Sequence, residues 1–397
     1  MSKVPEIRFK GFTDAWEQRE FLELVNKLSK TSISENLPKI EFEDIISGEG
    51  RLNKDVSAKF DNRKGILFNE NNILYGKLRP YLKNWLYTDF KGIALGDFWV
   101  FEAKNIEPKF LYFLIQADIY QKAANDTSGT KMPRSDWQKV SSTKFYIPRD
   151  LEEQIKIGNL LWEIEETLTL HQRKLEQLQQ TKTAFLQKMF PQPGMLAPEQ
   201  RFPKFSENWN SKKLGDFTRL ITKGTTPKDK SGVGEVNMIK IENISNGKIN
   251  PTNQISFKEH ETNLKRSKLI EKDILFSIAG TLGRTALVTE SILPANTNQA
   301  LAIIRDYDFD SIFLTTYLSG PKLKTYIKSN PTVGAQPNLS LEQINNITVT
   351  APSTQEQKRI GQLFLKIDQV INLHQRELEL LKQTKQGFLQ KMFPKGE

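Results

Sequence analysis

The chain has 397 residues, of which 38 % are apolar and 26 % charged, with 57 Lys and Arg set against 47 Asp and Glu. That length favours two or three domains, the apolar share excludes general disorder, and the formal charge of +10 points towards a polyanionic partner. The absence of cysteine removes disulfides, thiolate nucleophiles and Cys-held metal sites, and fits a reducing compartment. Only His171, His260 and His374 are present, in no HxxxH or HExxH spacing, so a metal hydrolase is excluded and no metal is expected. No apolar run approaches the ~18 residues of a membrane span, and the opening MSKVPEIRFKGF lacks the apolar core of a signal peptide. A cytoplasmic protein with no membrane partner is expected.

Along the chain, residues 1–150 form a first segment. Gly65–Phe68, Ile73–Tyr75, Ile93–Ala94 and Phe98–Phe101 read as strands, and Lys109–Ala124 as an amphipathic helix. Residues 151–191 read as one long helix. Residues 192–351 hold a short linker and a second segment. Its strands are expected at Asn237–Ile244, Asp273–Ile278, Thr285–Val288, Ala300–Ile304 and Ile347–Val349, and its helix at Phe313–Lys328. Residues 352–397 carry a second long helix.

The chain is written twice. Glu153–Pro191 and Glu356–Pro394 align without a gap, and 23 of their 39 positions are identical. The openings Pro5–Trp16 and Pro198–Trp209 also match, while the sequence between diverges. In the first long helix Ile157, Leu161, Ile164, Leu168, His171, Leu175, Leu178, Lys182, Phe185 and Met189 alternate spacings of four and three, and the second repeats the pattern. This is a heptad seam. Asp150 with Glu153, and Ser353 with Glu356, have capping-box spacing, while Pro191 and Pro394 end the helices. Each rod should be roughly 57 Å long.

Only Gln192–Ala197 separates the first rod from the second segment, so the rods are expected to pair antiparallel. The fold class is mixed α/β (α+β): two pseudo-twofold-related domains joined by two long antiparallel coiled-coil helices. His171 and His374 should then meet at the dyad, as a polar register pin or as a pH or metal switch. Two histidines make a poor metal site, which favours the pin. Lys182 should face Asp368, and Lys385 should face Glu165, also as register pairs.

The loops of both segments are rich in Gly and cations. In the first they carry Lys77, Arg79, Lys83, Lys131 and Arg134. In the second they carry Lys223, Thr225, Thr226, Lys228, Lys230, Arg284, Gln336 and Asn338. Lys and Arg neutralise phosphates, and Arg, Gln and Asn can read base edges, so these are the candidate DNA-binding residues. The search for catalytic residues is empty. No Walker loop, GxSxG or kinase signature occurs, and Asn330-Pro331 continues as Thr332-Val333 rather than as the Pro-Pro-aromatic of adenine methyltransferases. Glu356-Gln357-Lys358 opens a helix without an acidic partner motif, so it is not taken as a nuclease motif.

In the duplicated layout, the Glu-Gln helix openings, the endings Phe185–Pro191 and Phe388–Pro394, Lys223–Pro227, Asp273–Leu287, Ile73–Lys83 and the strand ends Tyr146–Pro148 and Thr350–Pro352, the chain resembles the specificity subunit of type I restriction–modification enzymes. The resemblance covers essentially the whole chain. It implies that 1–150 and 192–351 hold target-recognition domains, each reading one half of a bipartite, asymmetric site on double-stranded DNA. The helices 151–191 and 352–397 would set the spacer. Two modification (methyltransferase) subunits would dock on them, with restriction subunits as further partners. The chain itself would be non-catalytic and bind no cofactor; S-adenosylmethionine, ATP and Mg belong to the partner subunits. A coiled-coil interaction scaffold without DNA specificity is the alternative reading, and a free-standing bipartite repressor a third.

Overall fold

The computed structural model describes residues 4–127, 131–192, 194–228, 231–329 and 338–394. The chain divides into two compact units. Met1–Arg173 with Gln375–Glu397 forms the first, and Lys174–His374 the second. Each unit therefore takes a domain together with part of both long helices.

In the first unit the central sheet has four antiparallel strands in the order Val25–Leu28, Phe98–Ala103, Ile73–Gly76 and Trp85–Tyr87. Side chains alternate across a strand, so an all-apolar strand feeds two cores. Ile73, Tyr75, Trp99 and Phe101 join the core shared with the helices. Leu74, Leu86, Phe98 and Val100 join a second core, beneath the sheet formed by Thr31–Ser32, Gly65–Phe68, Gly92–Ala94 and Lys39–Ile40.

The second unit repeats this plan. Its central sheet runs Thr218–Lys223, Leu301–Tyr307, Ile274–Ser277 and Thr285–Leu287, in the same order and again antiparallel. Ile274, Phe276, Ala302 and Ile304 face the helical core, while Leu275, Ala286, Leu301 and Ile303 face the other. Among the described residues each unit also contains one parallel strand pair, Lys39–Ile40 beside Gly92–Ala94 and Val236–Ile239 beside Ala295–Thr297. A two-stranded ribbon leads into each long helix: Glu17–Glu20 with Lys144–Ile147, and Asn210–Lys213 with Thr348–Ala351.

Three expected elements are interrupted. The helix expected at Lys109–Ala124 is two helices, Pro108–Gln116 and Asp118–Asn125, broken at the extended residue Ala117. The helix expected at Phe313–Lys328 is also two, Ser311–Ser319 and Pro321–Ser329. Pro321 drives Gly320 out of the helical region. The strand expected at Asn237–Ile244 stops at Ile239 and turns through a 3-10 segment, Ile241–Asn243. There the Asn243 carboxamide accepts the Lys240 N–H at 2.8 Å, an alternative to the strand ladder. The first unit has the same turn at Phe42–Asp44, with the Asp44 carboxylate accepting the Glu41 N–H at 2.7 Å.

The long helices are Leu151–Lys188 and Thr354–Lys391. In the first unit Ile157 and Leu161 share a core with Leu389, Met392 and Phe393, and Lys385 Nζ lies 2.5 Å from Glu165 Oε2. In the second, Met189 and Phe190 pack with Ile360 and Phe364, and Lys182 Nζ lies 2.5 Å from Asp368 Oδ1. Within each unit the two helical stretches thus run antiparallel. No seam position is exposed in either helix.

The helix openings correct one expectation. Glu153 and Glu356 have capping-box spacing, but neither carboxylate turns back to cap. Arg8 grips Glu153 through two bonds, Nε–Oε1 at 2.6 Å and Nη2–Oε2 at 2.8 Å. Arg201 grips Glu356 in the same way at 2.7 and 2.8 Å. A bidentate charged pair outcompetes a single capping bond. The next residue acts as a bridge. Gln154 accepts the Glu107 N–H at 2.9 Å and donates to the Pro148 carbonyl at 2.8 Å. Gln357 accepts the Asp310 N–H and donates to the Pro352 carbonyl, both at 2.9 Å. Gly158 and Gly361 then let the domain helices come close. A Cβ on Gly158 would meet the Phe110 nitrogen at 2.9 Å, and one on Gly361 the Phe313 nitrogen at 3.2 Å.

Candidate nucleic-acid interface

Antiparallel pairing puts the functional loops of each domain at one end of its sheet. In the second unit the strand ends at Lys223 and Ser277 and the strand starts at Leu301 and Thr285 all fall at that end. In the first unit Leu28, Gly76, Phe98 and Trp85 mark it.

In the first unit the two predicted cationic loops are stitched together. Leu78 and Arg134 form a β-bridge, the Arg79 N–H donates to the Pro133 carbonyl at 2.7 Å, and the Ser135 N–H donates to the Lys77 carbonyl at 2.8 Å. Asp97 sits between Arg134 Nη2 at 2.9 Å and Lys77 Nζ at 3.8 Å. Arg79, Lys83 and Lys131 are exposed. Lys27, which sequence reasoning missed, lies over the Trp137 ring at 4.3 Å. Burial, then the nearby Lys77 charge, holds its ammonium below the usual lysine range. Lys27 lies on a strand, outside the Gly-bearing loops that guided the sequence search.

In the second unit Lys223, Thr225, Thr226 and Lys228 form one loop pressed against Thr297–Gln299. The Gly224 and Thr225 N–H groups donate to the Leu301 and Thr297 carbonyls at 3.1 and 3.0 Å. A Cβ at residue 224 would lie 2.2 Å from the Asn298 oxygen, so only glycine fits. The Thr226 hydroxyl bonds the Gln299 carboxamide. Beside it, Thr226, Lys240, Asn253, Gln254, Asn298 and Gln299 line a cavity of about 280 Å³. These amides have base-reading chemistry, and the sequence search did not select them.

Arg284 is drawn inward. Its guanidinium donates to the Ile241 and Ile244 carbonyls, both at 3.2 Å. Asn338 bridges Ala279, as Arg134 bridges Leu78. Lys230 and Gln336 lie outside the described residues, as do 128–130 and 334–337 of the predicted loops. Among the register residues, His171 Nδ1 lies 3.0 Å from Glu377 Oε2 in the first unit, and half-buried His374 belongs to the second. Among the described residues, no helix is long and apolar enough to cross a membrane.

The two sheet ends thus offer the same platform with different polar side chains, the arrangement of a protein with two separate readers. Residues 13–180 and 206–383 each match the family described as the type I restriction modification DNA specificity domain. The chain therefore belongs to the type I restriction–modification DNA specificity family and carries its domain twice. It is similar to the type I restriction enzyme EcoBI specificity subunit of Escherichia coli, with 26 % identity covering 85 % of this chain and 81 % of that one. It also resembles the MjaVIII specificity subunit of Methanocaldococcus jannaschii, with 22 % identity over 85 % of this chain and 82 % of the relative. Among solved structures, a type I restriction–modification S subunit from M. genitalium shares the fold, at TM-score 0.67 and 16 % identity over 99 % of this chain and all of that one.

Proposed function

We propose that each domain reads one half of a bipartite, asymmetric site on double-stranded DNA, and that the long helices fix the spacer between the halves. The observation that carries this reading is one sheet topology built twice, with Lys77, Arg79, Lys83 and Arg134 at the reading end of the first domain and Lys223, Lys228, Lys240 and a set of carboxamides at that of the second. Identical readers would suit a palindrome; unlike readers suit an asymmetric site. The recognition domains are taken as 1–150 and 192–351, and the spacer helices as 151–191 and 352–397.

The chain would do no bond chemistry. Two methyltransferase subunits would dock on the helices and bring S-adenosylmethionine. Restriction subunits would bring ATP-dependent cleavage with Mg. The complex would work in the cytoplasm. Methylation within a duplex needs the target base flipped out, a task for the methyltransferase. In this reading His171 and His374 pin register. The test is methylome sequencing of a host expressing the methyltransferase subunit, with and without this gene. Methylation of a split, asymmetric motif only when both are present is expected. Unchanged methylation would refute the reading and favour a scaffold role.

A further inference from the structure

The two units differ at one tip in a way that the fold does not require. In the first, the tip joins Ile73–Gly76 to Trp85–Tyr87; in the second, it joins Ile274–Ser277 to Thr285–Leu287. The pairs Tyr75↔Trp85 and Phe276↔Thr285 enclose nine and eight residues respectively. The tips correspond closely. Leu78 bridges Arg134 as Ala279 bridges Asn338. Arg79, at φ 49°, stands where Gly280 is at φ 66°. Lys83, at φ 55°, stands where Gly283 is at φ 81°.

Glycine occupies the left-handed region without strain, whereas L side chains there crowd the following carbonyl. The second tip is therefore relaxed, and the first holds two strained positions, each occupied by a cation. Strain of this kind persists where the surroundings or the function demand it. The extra residue of the first tip falls within Pro80–Leu82, where the Tyr81 ring is 56 % exposed. In the second tip Leu282 packs against the core instead. Among the described residues, Arg79, Tyr81 and Lys83 have no side-chain hydrogen bond or ion pair.

An exposed aromatic between two free cations suits a duplex groove: the ring packs against base edges such as a thymine methyl, and the cations hold flanking phosphates. Resting on the reading that this end of the sheet meets DNA, we infer that the Arg79–Lys83 tip is a specificity-determining contact to the first half-site, with the Tyr81 ring as its base-edge contact. The corresponding tip of the second unit, residues 277–284, carries no aromatic residue.

The test uses the full chain assembled with its methyltransferase subunit. Binding is measured on duplexes carrying the intact site, a scrambled first half or a scrambled second half. Tyr81→Ala should reduce discrimination at the first half about tenfold and leave the second half unchanged. Tyr81→Phe should behave as wild type, because the ring and not the hydroxyl meets the base edge. The double variant R79G/K83G should keep its Tm or gain up to about 2 °C. It should also bind all duplexes more weakly, with a salt slope lower by about 1–2. Tyr81→Ala that keeps first-half discrimination, or that fails to assemble with the methyltransferase, overturns the inference. So does a lower Tm in R79G/K83G. A wild-type complex without site preference refutes instead the reading on which the tip rests.

Discussion

Where the first domain meets its helix, Arg8 holds Glu153 at 2.6 and 2.8 Å; in the second, Arg201 holds Glu356 at 2.7 and 2.8 Å. Gln154 and Gln357 repeat the same two bonds to matching backbone groups. At the loop end of the sheets nothing matches so closely. Asp97 gathers Lys77 and Arg134 in one domain, while Gln299 holds Thr226 in the other. Arg79 and Lys83 give way to Gly280 and Gly283. The attachment is kept to within a tenth of an ångström, and the chemistry of the loops is free to change. This division of labour lets one scaffold carry two specificities.

The largest expected effect breaks the shared attachment. Glu153→Ala or Glu356→Ala leaves a partly buried arginine without its partner, and each should destabilise its unit by about 3–5 kcal/mol. Denaturant titration of both variants checks this. Unequal losses would mean that the two sockets only look alike. A smaller effect should separate them. Gly158→Ala puts a Cβ 2.7 Å from the Glu107 carboxylate and 2.9 Å from the Phe110 backbone nitrogen, whereas Gly361→Ala puts one 2.8 Å from the Asp310 carboxylate and 3.2 Å from the Phe313 backbone nitrogen. The first should cost about 1–2 kcal/mol, and the second less, because at 361 only the Asp310 carboxylate and not the backbone comes within 3 Å, and the gain in helix propensity offsets part of that clash. Thermal melts that rank them the other way would rule out this close approach as the reason for the glycines.

The smallest effect concerns acid. Asp44 and Asn243 close the same 3-10 turn, but only Asp44 can titrate. Burial alone would raise its carboxyl, yet bonds from Lys54 and Lys59 and from the Glu41 N–H outweigh burial and hold it below the usual carboxylate range. A depressed folded pKa contributes stability above the unfolded pKa and loses it as pH falls through the folded one. The first unit should therefore weaken on acidification through this turn, and the second should not. Asp44→Asn should flatten the acid limb of the first unit's stability curve. An unchanged slope would remove the turn as its source.

Much of this was legible in the sequence because it is periodic or repeated. The seam from Ile157 to Met189, the duplicated Glu-Gln openings and the all-apolar strand Phe98–Phe101 all announce themselves. The breaks at Ala117 and Gly320 did not, because the apolar face continues across them. The Arg8–Glu153 pair spans 145 positions, and no local pattern shows that the conserved-looking opening at Pro5–Trp16 folds back onto the helix. Lys27 and the amides around Thr226 were missed for the same reason: their meaning comes from neighbours brought in by the sheet.

The unequal continuity of the two units bears on how the chain reaches its fold. The second is one uninterrupted stretch, Lys174–His374, whereas the first needs Gln375–Glu397 returned to it. Leu389, Met392 and Phe393 pack on Ile157, Leu161 and Phe110, and the Ile7 N–H donates to the Lys391 carbonyl at 3.0 Å. During synthesis the second unit can complete its core while the first waits with Ile157 and Leu161 still uncovered. The domain made first is thus the last to be finished, and it is the one exposed to chaperones and misfolding in the interval.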